Sequence, residues 1–164
     1  MGNAIPVPID KVLAPEQIAA LKKGYTSAAM TEILSGGMPG LDRHTAKYIH
    51  AIRRAFYDTS RMAPKDRERC LIGILAGRDA GLNFAIHVYV GLMEGLTPDE
   101  IADVIFLGGI YTGVDHLSDG LAAAQRTLTV LGRVAKGDCT ILQVMGALVM
   151  AFRPPLPPET PPKS

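Results

Sequence analysis

The 164-residue chain is most informative at first through what it has little of. It carries only two cysteines, Cys70 and Cys139, far apart in sequence. They form neither a disulfide framework nor a CxxC pair. Charge of one sign is also missing, since 17 Lys and Arg face 16 Asp and Glu for a net charge of +1. No basic field exists to hold a phosphate backbone by counterion release, so no nucleic-acid partner is expected. Every long apolar stretch is interrupted by charges or glycines well before about eighteen residues, which excludes a membrane span. The opening Met-Gly-Asn-Ala-Ile-Pro has no basic region followed by an apolar one, so no secretory signal is expected and the expected location is cytoplasmic. HExxH, GxGxxG and P-loop patterns are lacking, as is any His and carboxylate cluster with metal-ligand spacing. No metal and no cofactor are therefore expected. Period-two alternation, the mark of half-buried strands, is lacking too.

What remains is a hydrophobic fraction of 48% with 20% charged residues, the composition of an ordinary soluble globular chain. The length predicts one domain over 1–152 with a tail. Helical spacing runs almost throughout. A first helix is expected from Pro15 to about Leu34, with Ile18, Leu21, Tyr25 and Ala29 on one stripe, ended by the glycines and proline of Ser35–Gly40. A second, Asp42 to Tyr57, places Tyr48, Ile52 and Phe56 along one face. A third, Pro64 to Asp79, begins polar and turns apolar. A fourth, Leu82 to Glu94, is apolar nearly all round and must be covered by other helices or another subunit. Thr97-Pro-Asp-Glu100 is a capping box with proline at the first helical position. It opens a fifth helix that ends near Tyr111–Gly113 and contains Gly108-Gly109, read as a site of close packing. A sixth spans about Asp115 to Val134, with Asp115 as its cap, and a seventh about Thr140 to Phe152. The tail from Arg153 to Ser164 is proline-rich and cannot be helical. The fold class is all-α, with about six to seven helices.

Few residues offer chemistry. His87 stands among Ala85, Ile86, Val88 and Tyr89 in the apolar fourth helix. A histidine so placed is either a satisfied core residue or an acid/base, and the residue pattern leaves both open. Asn83 lies one turn earlier on the same face, as an amide able to meet a substrate oxygen or simply as a polar first-turn residue. Glu68 sits in a charged first turn, where a solvated carboxylate with helical partners is the ordinary reading. Tyr111 and His116 flank a turn that either lines a pocket or caps a helix. His44 and His50 belong to a basic helix and are assigned no role. If the third and fourth helices form a simple hairpin turning at Gly81, Glu68 and His87 are offset by seven residues, about 10 Å. Contact between them then requires crossed helices, an irregular turn or a bridging water.

Taken in order, Arg67-Glu68, His87, Gly95-Leu-Thr-Pro-Asp-Glu-Ile101 and Tyr111-Thr-Gly113 resemble the motif series of the carboxymuconolactone decarboxylase family. That family includes the alkylhydroperoxidase D (AhpD-like) proteins, and the resemblance covers Met62 to Leu131. It implies an all-α AhpD-like fold, with N-terminal helices over about 15–57, that assembles as a homo-oligomer, commonly a trimer or hexamer. The redox branch carries Glu-x11-Cys-x2-Cys-x3-His, and counted back from His87 its two thiol positions hold Ala80 and Asn83. Peroxide reduction needs a thiolate and a resolving thiol, so that activity is not expected. The implied chemistry is that of a cofactor-free lyase or isomerase acting on a small carboxylated lactone or related enolisable acid. His87 and Glu68 are the implied catalytic pair, and Asn83, Tyr111 and His116 the candidate substrate donors. The alternatives are a peroxide-handling protein and a non-catalytic oligomeric ligand-binding protein.

Overall fold

The computed structural model describes residues 13–33, 47–48, 51, 55, 60–136 and 139–153. Among these residues the chain is all-α, with seven helices and no strand. They are α1 (Pro15–Gly24), α2 (Ser27–Glu32), α3 (Pro64–Ala76), α4 (Leu82–Met93), α5 (Pro98–Thr112), α6 (Val114–Val134) and α7 (Ile141–Phe152). The expected helix over 42–57 lies almost wholly outside the described residues, and His44 and His50 lie outside them with it. The tail beyond Arg153 does too.

Helix α4 is the centre of the packing. It lies against α1, α3, α6 and α7, and Phe84, Ala85, Val88, Tyr89 and Leu92 on it are essentially inaccessible. Its all-round apolarity is thus absorbed within the chain, and another subunit is not needed to explain it. Its end is a Schellman motif: Leu96 N–H donates to the Gly91 carbonyl at 2.8 Å and Gly95 N–H to the Leu92 carbonyl at 3.2 Å. Gly95 takes the left-handed conformation this motif requires, with φ +96°.

Two expectations are corrected. The first expected helix is broken, because Tyr25 and Thr26 are extended and Thr26 Oγ1 accepts from Ala29 N–H to start α2. A threonine cap satisfies an orphan donor that a continuous helix would have left to i→i−4 bonding. Tyr25 still packs against the same core as Ile18, Leu21 and Ala29. Helix α6 begins one residue early, at Val114, after Gly113 with φ +112°, so Asp115 lies inside the first turn and does not cap it. Gly108-Gly109 does mark close packing. A β-carbon on Gly108 would lie 3.4 Å from the Gly73 carbonyl oxygen, and one on Gly109 would lie 2.6 Å from Leu117 Cβ.

The capping box forms as expected, with Glu100 N–H donating to Thr97 Oγ1 at 3.1 Å and Thr97 N–H to Glu100 Oε2 at 2.9 Å. Its second carboxylate oxygen receives Lys65 and Arg69, each at 2.9 Å, and so ties the start of α5 to the start of α3. These bonds, led by that from Lys65, pull the Glu100 carboxyl down to about 2. A depressed carboxyl contributes stability above its unfolded value, near 4.5, and loses it as pH falls towards 2. Glu100→Gln keeps the cap and removes the charge. We expect it to cost about 0.5–1 kcal/mol at pH 7. Melting curves of the two proteins should converge as pH falls from 4.5 to 2, and a gap independent of pH would show the ion pairs contribute nothing.

Candidate active site

Glu68 and His87 meet. His87 Nδ1 lies 2.7 Å from Glu68 Oε2, with the Glu68 side chain 1% exposed and that of His87 16%. The hairpin offset is resolved by the turn over residues 77–81, which is irregular and long. Glu68 lies eight residues before the end of α3 and His87 five after the start of α4. Only three residues of offset, about 4.5 Å, are left for the side chains to span.

Gly91 permits the approach. A β-carbon there would lie 2.8 Å from Leu96 Cδ1, 3.1 Å from Ile72 Cδ1 and 3.7 Å from Glu68 Cβ. Without it, the Glu68–Ile72 face of α3 seats directly on α4, one turn after His87. The ordinary reading of Glu68 as a solvated carboxylate is therefore overturned by tertiary packing. Its other oxygen, Oε1, is buried without a hydrogen bond, and the Arg67 guanidinium stands beside it with Nε at 3.8 Å.

A second polar pair lies on the same side of α4 as His87. Tyr25 donates its hydroxyl to Glu94 Oε1 at 3.1 Å and meets the Tyr89 ring edge-on, centroids 5.9 Å apart. Burial pushes the Tyr25 phenol well above its ordinary value, with the Glu94 charge and hydrogen bond adding to it and the Glu68 charge after them. Burial likewise raises the Tyr89 phenol. Sequence reasoning missed Gly91, Tyr25 and Glu94. For Glu94 a signal existed, since it follows His87 by seven residues and so shares its face. For Gly91 the signal was a glycine within an otherwise strongly apolar helix.

The remaining expected residues are not drawn to the pair. Asn83 is exposed at the start of α4, one turn before His87. Tyr111, 84% exposed, and His116, also exposed, stand at the α5–α6 corner. Helices α3 and α5 run parallel, with Glu100 level with Lys65 and Arg69, and Thr112 level with Gly77. That sets Tyr111 towards the far end of α3 from Glu68. Of the cysteines, Cys70 is exposed on α3, and Cys139 is buried with its Sγ 3.7 Å from the Ala20 carbonyl oxygen. Neither stands at a thiol position of the redox motif. Among the described residues no group of three or more His, Cys, Asp or Glu could hold a metal ion, and no helix is long and apolar enough to cross a membrane.

The sequence profile of the carboxymuconolactone decarboxylase family matches residues 39–126, a little over half of the 164-residue chain. No curated protein and no solved structure matches it.

Proposed function

The chain belongs to the carboxymuconolactone decarboxylase family, and from that premise we propose that it is a lyase or isomerase acting by acid/base chemistry at His87 on a small carboxylated lactone or related enolisable acid. The observation that carries this reading is the 2.7 Å contact between His87 and a carboxylate buried to 1%. A carboxylate only accepts hydrogen bonds. Glu68 therefore keeps the proton of His87 on Nδ1 and leaves Nε2 as the nitrogen that exchanges a proton with substrate. It also stabilises the imidazolium, as the buried partner of a catalytic histidine must.

In the decarboxylation, the electrons of the breaking carbon–carboxylate bond move into the conjugated lactone, whose oxygen takes up the charge as carbon dioxide leaves. Nε2–H then delivers a proton to carbon, and the neutral imidazole recovers one from water. The chemistry needs neither metal nor thiol. Asn83, exposed one turn from His87, supplies a hydrogen bond to the developing oxyanion.

The active form is a homo-oligomer, trimer or hexamer. Ile74, Phe106, Leu107, Ile110, Tyr111 and Val114 are exposed large apolar residues on α3, α5 and α6, apolar surface that a neighbouring copy would cover. In that assembly Tyr111 and His116 belong to the corner that a neighbouring copy covers.

Carbon dioxide release from γ-carboxymuconolactone by the purified wild-type protein tests the reading. Release above the uncatalysed rate is expected. A folded oligomer that releases none, and turns over no related lactone or keto acid, favours the ligand-binding alternative.

A further inference from the structure

Helix α4 reaches water along one line only. From Phe84 to Met93 every residue is buried except His87 and Val90. Exposed Asn83 extends the line at one end and half-buried Glu94 at the other. Spacings of four, three and four residues put these four side chains within about 60° of one another around the axis. A small molecule that touches His87 meets α4 along this line, with Asn83 on one side of the imidazole and Glu94 on the other. Seven residues separate His87 from Glu94, about 10 Å along the axis.

Glu94 is the unusual member. Its one hydrogen-bond partner among the described residues is the neutral Tyr25 hydroxyl, on Oε1 at 3.1 Å. No ion pair among the described residues includes it, and Lys65 and Arg69 are committed to Glu100. Burying part of a carboxylate without a cation costs free energy. The chain nevertheless builds support for it. Helix α1 stops at Gly24, Tyr25 is extended, and its ring stands edge-on to Tyr89 with the hydroxyl on the carboxylate. Burial raises the Tyr25 phenol, as do the charges of Glu94 and Glu68, so it remains a donor at neutral pH. One oxygen of Glu94 is thereby fixed, and Oε2 is left as an acceptor beside the line.

We infer that Glu94, held by Tyr25, receives a protonated amine of the substrate, at the end of the molecule remote from the carbon that His87 protonates. An ammonium supplies the opposite charge and three donors, and its bond to a carboxylate is about twice as strong as one between neutral groups. A carboxylate at that end of the substrate would instead meet like charge. The substrate class is a small enolisable acid with an amine about two helical turns from its reacting carbon. This inference rests on the proposed role of His87, and its test is a binding measurement that needs no turnover. γ-Carboxymuconolactone lacks the amine, so its decarboxylation tests His87 and not this contact.

The probes are 5-aminopentanoate and pentanoate, which differ by the amine alone. Each is titrated into the full-length protein at neutral pH and followed by the His87 ring signals in NMR spectra. Wild type should bind the amino acid roughly tenfold or more tighter. Glu94→Gln, which still accepts the Tyr25 hydroxyl, should bring the two affinities together and leave pentanoate within about twofold. Tyr25→Phe keeps the charge but no longer orients it, and should give an intermediate ratio. Asp103→Asn removes one charge from an exposed acid on α5 and should leave the ratio intact. Equal binding of the two probes by wild type, or binding of neither, overturns the inference. So does a ratio that survives Glu94→Gln or falls as far in Asp103→Asn. If circular dichroism shows Glu94→Gln unfolded, Tyr25→Phe decides alone: its ratio must fall by about threefold. A Glu94-dependent ratio in a protein that releases no carbon dioxide sinks the lyase reading and leaves the amine contact standing.

Discussion

Replacing His87 with glutamine stops turnover while leaving the protein folded, with kcat falling by roughly 10²–10⁴-fold, the range that a positioned general acid supplies. Glutamine is chosen because its amide can still donate to Glu68, so the buried carboxylate keeps a partner, yet it exchanges no proton at neutral pH. His87→Ala should lose activity to the same degree and stability as well. It leaves the Glu68 side chain, 1% exposed, without its hydrogen bond, at a cost of about 1–3 kcal/mol. Running both variants separates chemistry from folding. Steady-state rates and melting curves, read together, should show equal kcat losses with unequal stability losses. A glutamine variant that keeps its rate within tenfold removes His87 from the chemistry and makes it a satisfied core residue.

Glu68→Gln is expected to lower kcat by about 10²-fold or more with KM little changed. Glu68 is 1% exposed and bonded to the imidazole, so under the proposed role of His87 it acts through the histidine as a positioning residue. Its amide isostere keeps the shape, removes the charge that stabilises the imidazolium, and no longer dictates which ring nitrogen carries the proton. Glu68→Asp restores the charge one methylene short and should recover part of the rate without matching wild type. Kinetics that move KM in place of kcat would mean that Glu68 contacts substrate, and a wild-type kcat would mean that the histidine needs no charged partner.

Much of this protein is decided by interactions that span three or four residues, and those are readable in order along the chain. The start of α5 follows from Thr97 and Glu100, whose reciprocal hydrogen bonds bridge three positions. Helix α7 opens the same way, with Thr140 N–H donating to Gln143 Oε1 and Gln143 N–H to Thr140 Oγ1. Helices α3 to α7 lie close to where proline, glycine and apolar spacing put them. The break at Tyr25–Thr26 was missed because the apolar spacing of Ile18, Leu21 and Tyr25 continues unchanged through it. Gly24, just before the break, lies flush against the Cys139 carbonyl, a contact made more than a hundred residues away.

By itself, the order of residues determined the all-α class, most helix boundaries and the pairing of motifs that marks the family, because caps, propensities and periodicity are local energies. It also named Glu68 and His87. Only the tertiary structure decided that Glu68 is buried and bonded to His87 across 19 residues, and that Tyr25 reaches Glu94 across 69. It also set Tyr111 and His116 apart from them on an exposed corner. The reason is physical: a carboxylate near the start of a helix stays in water unless a neighbouring helix brings a partner that offsets the cost of burying it. How closely that helix can come depends on the side chain missing at Gly91.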